Sequence, residues 1–170
     1  MHVKHRILCV LAGILIAASA GAATQNITSK LSFRAPLVLQ KLRDINFGDV
    51  SAGIAATYRI TPNGTLSVAS GSGVLLGGTV QGGHVTIKGS QTQRINISVG
   101  NYVANKGVTT KNASCRYNNG SVVTPCNVTN ATAPTSGGRN LLLGLDVTAD
   151  GTQLDGTVAT PSFDILVVYN

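Results

Sequence analysis

The sequence predicts an all-β protein, a sandwich of about seven to ten short strands. Three observations carry that prediction. Apolar residues recur at every second position, most clearly at Phe163, Ile165, Val167 and Tyr169 near the C-terminus. Gly, Thr, Ser, Asn and Val dominate and Trp is absent, the make-up of strands joined by tight turns. Beyond the N-terminal leader, no stretch keeps a helical period for an adequate length.

The leader comes first. Lys4 and Arg6 precede an apolar run from Ile7 to Ala18, followed by the small residues Ser19 to Ala23. A basic start, a short apolar core and small residues at the cut describe a secretory signal peptide, residues 1–22, with cleavage expected after Ala22. The run is too short to span a bilayer, so no stable membrane insertion is expected. Cys9 leaves with the leader. The remaining residues, 23–170, suit one domain with a real core. They carry 11 Lys and Arg against 6 Asp and no Glu, a net charge of +5. These cations are scattered along the chain without aromatic partners, which argues against a nucleic-acid partner and for a solvated basic surface.

Next, Ile27, Ser29, Leu31, Phe33, Ala35 and Leu37 alternate with mostly polar residues, so residues 23–37 contain a candidate edge or donor strand. Ile45 to Val50 is the next strand, ended by a turn at 51–53. Thr57 to Thr61 follows and stops at Pro62-Asn63-Gly64. Residues 65–83 read as Gly-rich turns at Gly71-Ser72-Gly73, Gly77-Gly78 and Gly82-Gly83. His84 to Lys88 and Arg94 to Val99 are short alternating strands. Cys115 and Cys126 flank Asn119-Gly120, a two-residue hairpin signal. In an oxidising compartment this pair is expected to form a disulfide clamping a hairpin or two adjacent strands. Metal binding or thiol chemistry is disfavoured, because the pair lacks Cys-x-x-Cys spacing and a neighbouring His or acid. Ala131 to Gly138 is a loop. Leu141, Leu143, Leu145 and Val147 make the strongest internal strand. The last strand has Pro161 as its first residue, where a missing N–H does least harm, with one face apolar throughout and both faces apolar near its end.

No catalytic constellation emerges. The exported chain has one histidine, His84, on the polar face of its strand, and no Glu, so no paired acids or nucleophile with a base can be assembled from sequence. The expectation is no enzyme, no catalytic residues, no cofactor and no metal. Asp146, Asp150 and Asp155 are the one conceivable calcium set, but their spacing matches no calcium loop and turn chemistry explains them. Seven Asn-x-Ser/Thr triplets, at Asn26, Asn63, Asn96, Asn112, Asn119, Asn127 and Asn130, are read as a consequence of composition.

Three stretches carry a resemblance: Ile45-Asn46-Phe47-Gly48-Asp49, Gly82-Gly83-His84-Val85-Thr86-Ile87, and Ser162-Phe163-Asp164-Ile165 through Tyr169-Asn170. Through them the chain resembles a bacterial family of secreted domains of unknown function, related in pattern to spore-coat-U-like and chaperone–usher pilin subunits. The resemblance covers nearly all of the exported chain. The link to pilins is narrower, a penultimate tyrosine (Tyr169) and a glycine fourteen residues before the last (Gly156). Pilins usually bridge cysteines farther apart than Cys115 and Cys126, which points to a relative rather than a standard pilin.

The resemblance implies an immunoglobulin-like sandwich lacking one strand, completed by an extended segment from a neighbour. Ile27, Leu31 and Phe33 would belong to the donor segment, and Phe163, Ile165, Val167 and Tyr169 to the strand beside the groove. The implied partners are other copies or related subunits and a periplasmic chaperone, at the periplasm, cell surface or outside the cell. Pairing of the N-terminal segment within its own domain stays open. So does a second function class, a secreted monomeric module binding carbohydrate or a surface ligand, for which Tyr102 and Tyr117 are the aromatic candidates.

Overall fold

The computed structural model describes residues 25–170; the expected signal peptide lies outside the described residues. The chain is all-β, with strands β1 (Val38–Arg43), β2 (Asn46–Val50), β3 (Ala55–Ile60), β4 (Leu66–Gly71), β5 (Leu75–Gln81), β6 (Gly83–Lys88), β7 (Ile95–Val103), β8 (Val108–Tyr117), β9 (Asn127–Ala131), β10 (Arg139–Asp150) and β11 (Ser162–Tyr169). All named strand pairs are antiparallel.

The Leu-rich strand β10 is the spine. One of its edges pairs with β8, and the other pairs first with β6 (Arg139 to Leu143) and then with β3 (Leu145 to Asp150). β1 extends the sheet beyond β6, and β4 extends it beyond β3. Gly144 stands where β10 changes partner. A Cβ there would collide with the Ile60 carbonyl and meet Ser114 Oγ at 2.6 Å, so a residue without a side chain lets both partners reach the spine.

A second sheet has the order β11-β7-β9, and β2 and β5 form a two-stranded ribbon. The two larger sheets close on a common core. Val85, Ile87, Leu141, Leu143, Cys115 and Tyr117 from the first meet Ile95, Ile97 and Val167 from the second. Ala56, Tyr58, Ile60, Ala113, Leu145 and Val147 form a second cluster. Alternation along β10 sends its odd-numbered residues inward, as a half-buried strand requires.

Two expectations change. Residues 65–83, expected to hold Gly-rich turns, contain all of β4 and β5. Gly77 and Gly78, at φ 108° and 83°, sit within β5 where its register with β2 slips around Asp49. They make a bulge inside a strand, not a break between strands. The cysteine hairpin turns one residue earlier than Asn119-Gly120: Asn118 and Asn119 carry φ 47° and 59°, and the Gly120 N–H donates to the Tyr117 carbonyl at 2.9 Å. Two successive left-handed residues are what a type I′ turn demands, and Asn tolerates that region better than other side chains. Asn112 and Asn130 are left-handed too, so part of the asparagine content is turn and bulge chemistry.

Candidate functional site

The C-terminal strand β11 is hydrogen-bonded along one edge only. It pairs with β7 from Ser162↔Val103 to Tyr169↔Ile95, and among the described residues no strand pairs with its second edge. Its alternation has the consequence the sequence promised on the inner face. Val167 is buried, and Phe163, Ile165 and Tyr169 are half-buried against the core. The outer face differs from expectation. Leu166 is 60% and Val168 43% exposed, because among the described residues no layer covers that side of the β11-β7-β9 sheet. Beside Phe163, the same core clusters carry Ile45 and Phe47, also half-buried. The molecule thus holds an apolar strand with an open backbone edge.

Tyr169 fixes the end of this strand. Its phenol accepts from the Ser90 N–H at 2.7 Å and donates to the Ala35 carbonyl at 2.7 Å. Gly89 allows the approach, since a Cβ there would lie 2.5 Å from the phenol oxygen. Arg34 adds a second tie, its Nη1 donating to Thr92 Oγ1 at 2.9 Å. Leu37 packs against the core. Residues 34–37 are therefore pinned to the domain at the Tyr169 end of β11.

Residues 25–37 form no strand. Ile27, Leu31 and Phe33 are 87%, 78% and 83% exposed. The segment thus keeps its alternating apolar residues but buries none of these three.

Gly156 lies apart from β11, in a turn where the Thr157 N–H donates to the Leu154 carbonyl at 3.1 Å. Its φ is 77°, and a Cβ would meet nothing within 4 Å. Cys115 and Cys126 are bridged and buried. The bridge ties β8 to the returning loop, in which Val123 exchanges both backbone hydrogen bonds with Cys115.

The acids do not converge. Asp146 accepts from Arg59 Nε at 2.7 Å and Nη2 at 2.8 Å, and from Asn112 Nδ2 at 3.1 Å. Hydrogen bonding to Arg59 holds its carboxyl below the usual carboxylate range. Asp150 binds Thr152 and Gln153, and its bond from the Thr152 hydroxyl lowers its pKa. Among the described residues no group of three or more His, Cys, Asp or Glu could hold a metal ion.

The two aromatic candidates differ in exposure, Tyr102 being 40% exposed. Tyr117 is buried and donates to the Thr132 carbonyl, and burial raises its pKa. Tyr102 accepts from the Ala113 N–H and leans on Phe163, their ring centroids 6.0 Å apart. The half-buried His84 has no hydrogen-bond partner at Nε2.

Sequence reasoning missed the Tyr169–Ala35–Ser90 clasp and the Arg59–Asp146 pair. Both join residues far apart in the chain, and no local motif marks either. No family model, curated protein or solved structure matches the chain.

Proposed function

We propose that this protein is a non-enzymatic exported structural subunit of a fimbria-like or cell-surface assembly, joined copy to copy by β-strand addition. One observation carries the reading: an apolar strand with an open edge and an exposed alternating segment occur in the same molecule. The occupant is the segment 25–33 of a second copy. Its alternating stretch, Ile27 to Phe33, is long enough to pair with most of the eight residues of β11. Ile27, Leu31 and Phe33, all exposed, supply the alternate side chains that such pairing uses, while main-chain bonds to the β11 edge supply affinity. An open apolar edge is a liability in a monomer and an asset in a polymer.

The buried disulfide suits an oxidising compartment, and no helix among the described residues is long and apolar enough to cross a membrane. Both agree with export. A periplasmic chaperone that shields the β11 edge before assembly belongs to the same reading. The charged groups that are most engaged, Asp146 and Asp150, serve the fold through Arg59 and the Thr152 turn, which supports a structural role.

The test is the size of the exported protein. Light scattering coupled to size exclusion is expected to show a concentration-dependent series of oligomers that resists dilution. A single monomer peak that melts cooperatively at every concentration, with no shielding partner present, would overturn the assembly reading.

A further inference from the structure

On the face of the β3-β10-β8 layer that looks away from the core lies a cleft of about 500 Å³. Its floor is the Arg59–Asp146–Asn112 group together with Ser114. One wall is the turn after β3, bringing Pro62 and Asn63. The other is the loop after β8, bringing Val122 and Thr124. That loop is held by the Cys115–Cys126 bridge and the Cys115–Val123 backbone pair, so the cleft is built before any ligand arrives.

The chemistry of the floor narrows the ligand. Asp146 is nine-tenths buried, its side chain 4% exposed, while the Arg59 side chain is 52% exposed. The carboxylate therefore offsets the guanidinium charge and fixes its plane, while Lys111, whose charge also reaches Asp146, does not line the cleft. Arg59 Nη1, Asn112 Oδ1, and the hydroxyls of Ser114 and Thr124 have no hydrogen-bond partner among the described residues. These are donors and acceptors mixed over one small area, flanked by the apolar edges of Pro62 and Val122. A ligand that satisfies them needs several hydroxyls, each able to give and accept, on a ring whose C–H face can rest on an apolar wall.

We infer that this cleft binds a neutral saccharide unit, held by Arg59, Asn112, Ser114 and Thr124. This site lies on a different element from the β11 edge and stands independently of the assembly reading. It is also distinct from the Tyr102 and Tyr117 positions, so the recognition is by polar groups rather than by aromatic stacking.

The test is saturation-transfer NMR on the full exported protein, which tolerates assemblies of any size. The probes are the methyl glycosides of glucose, galactose, mannose and N-acetylglucosamine, with inorganic phosphate and glucuronate as anionic comparators. At least one neutral glycoside is expected to bind with millimolar affinity. Asn112→Gly keeps the left-handed backbone (φ 50°) while removing the amide, and Thr124→Val keeps shape while removing the hydroxyl. Each is expected to weaken binding about tenfold, the equivalent of one lost hydrogen bond. No transfer to any neutral glycoside, unchanged binding in both variants, or competition by phosphate would each overturn the proposal.

Discussion

Two side chains decide more than their neighbours, and each can be removed almost isosterically. Asp146 is a carboxylate buried on a sheet face, tolerable because Arg59 meets both of its oxygens. Its folded pKa is depressed, so its contribution to stability is full above the unfolded value of about 4 and is lost as pH falls through the folded value. Asp146→Asn is expected to cost about 1–2 kcal/mol at neutral pH, the low end for a charged bond because the guanidinium is half in solvent. Denaturant melts should show the gap between wild type and variant closing on acidification below about pH 4; a gap that persists there would show that shape, not charge, holds the site. Tyr169→Phe keeps the ring in the core but orphans the Ser90 N–H and frees the Ala35 carbonyl. About 1–2 kcal/mol should be lost. Limited proteolysis should cut residues 34–37 faster than in wild type, whereas equal cutting would mean that Arg34 and Leu37 hold the segment without the phenol.

At the scale of elements, what could be read from sequence was what alternation and turn chemistry encode locally. Leu141 to Val147 announced β10, and Phe163 to Tyr169 announced the inner face of β11. The pairing of Cys115 with Cys126 followed from their survival of the expected leader cleavage and their flanking of a turn. Glycine misled where it does two jobs. Gly77-Gly78 reads as punctuation but is a bulge in β5, because only the partner strand β2 reveals that the ladder continues past it. The outer face of β11 misled for another reason: apolarity at Leu166 and Val168 says that cover is wanted, not whether the domain itself provides it. The disulfide loop illustrates an element held from outside its own sequence. Cys115→Ala/Cys126→Ala should cost about 2–3 kcal/mol on the chain-entropy argument for a loop this short. The Val123 pairing with Cys115 should then exchange its amide protons faster, and protection equal to wild type would mean that backbone bonds alone retain the loop.

For the molecule as a whole, the question is whether the sandwich is complete in one chain. The structure sets where the chain must be cut to ask it. Removing residues up to 37 would strip Leu37 from the core and Ala35 from Tyr169, and any unfolding would then be ambiguous. Ending the deletion at Phe33 spares both. A protein starting at Arg34 is expected to fold, because Ile27, Leu31 and Phe33 are exposed in the full chain and their loss uncovers little. On the proposed assembly reading it should form no oligomer series, since the open edge of β11 remains but the proposed occupant is gone. A synthetic peptide of residues 25–33, added back, should raise the melting temperature of the shortened protein in proportion to the logarithm of its concentration above Kd, as any ligand of the folded state alone must. The same peptide with Leu31 and Phe33 replaced by Ser should do nothing, because main-chain bonds without the alternate side chains give pairing no apolar burial. A shortened protein that still forms the series would place the contact elsewhere. One that is monomeric but blind to the peptide would show that the segment acts by some route other than adding a strand to β11.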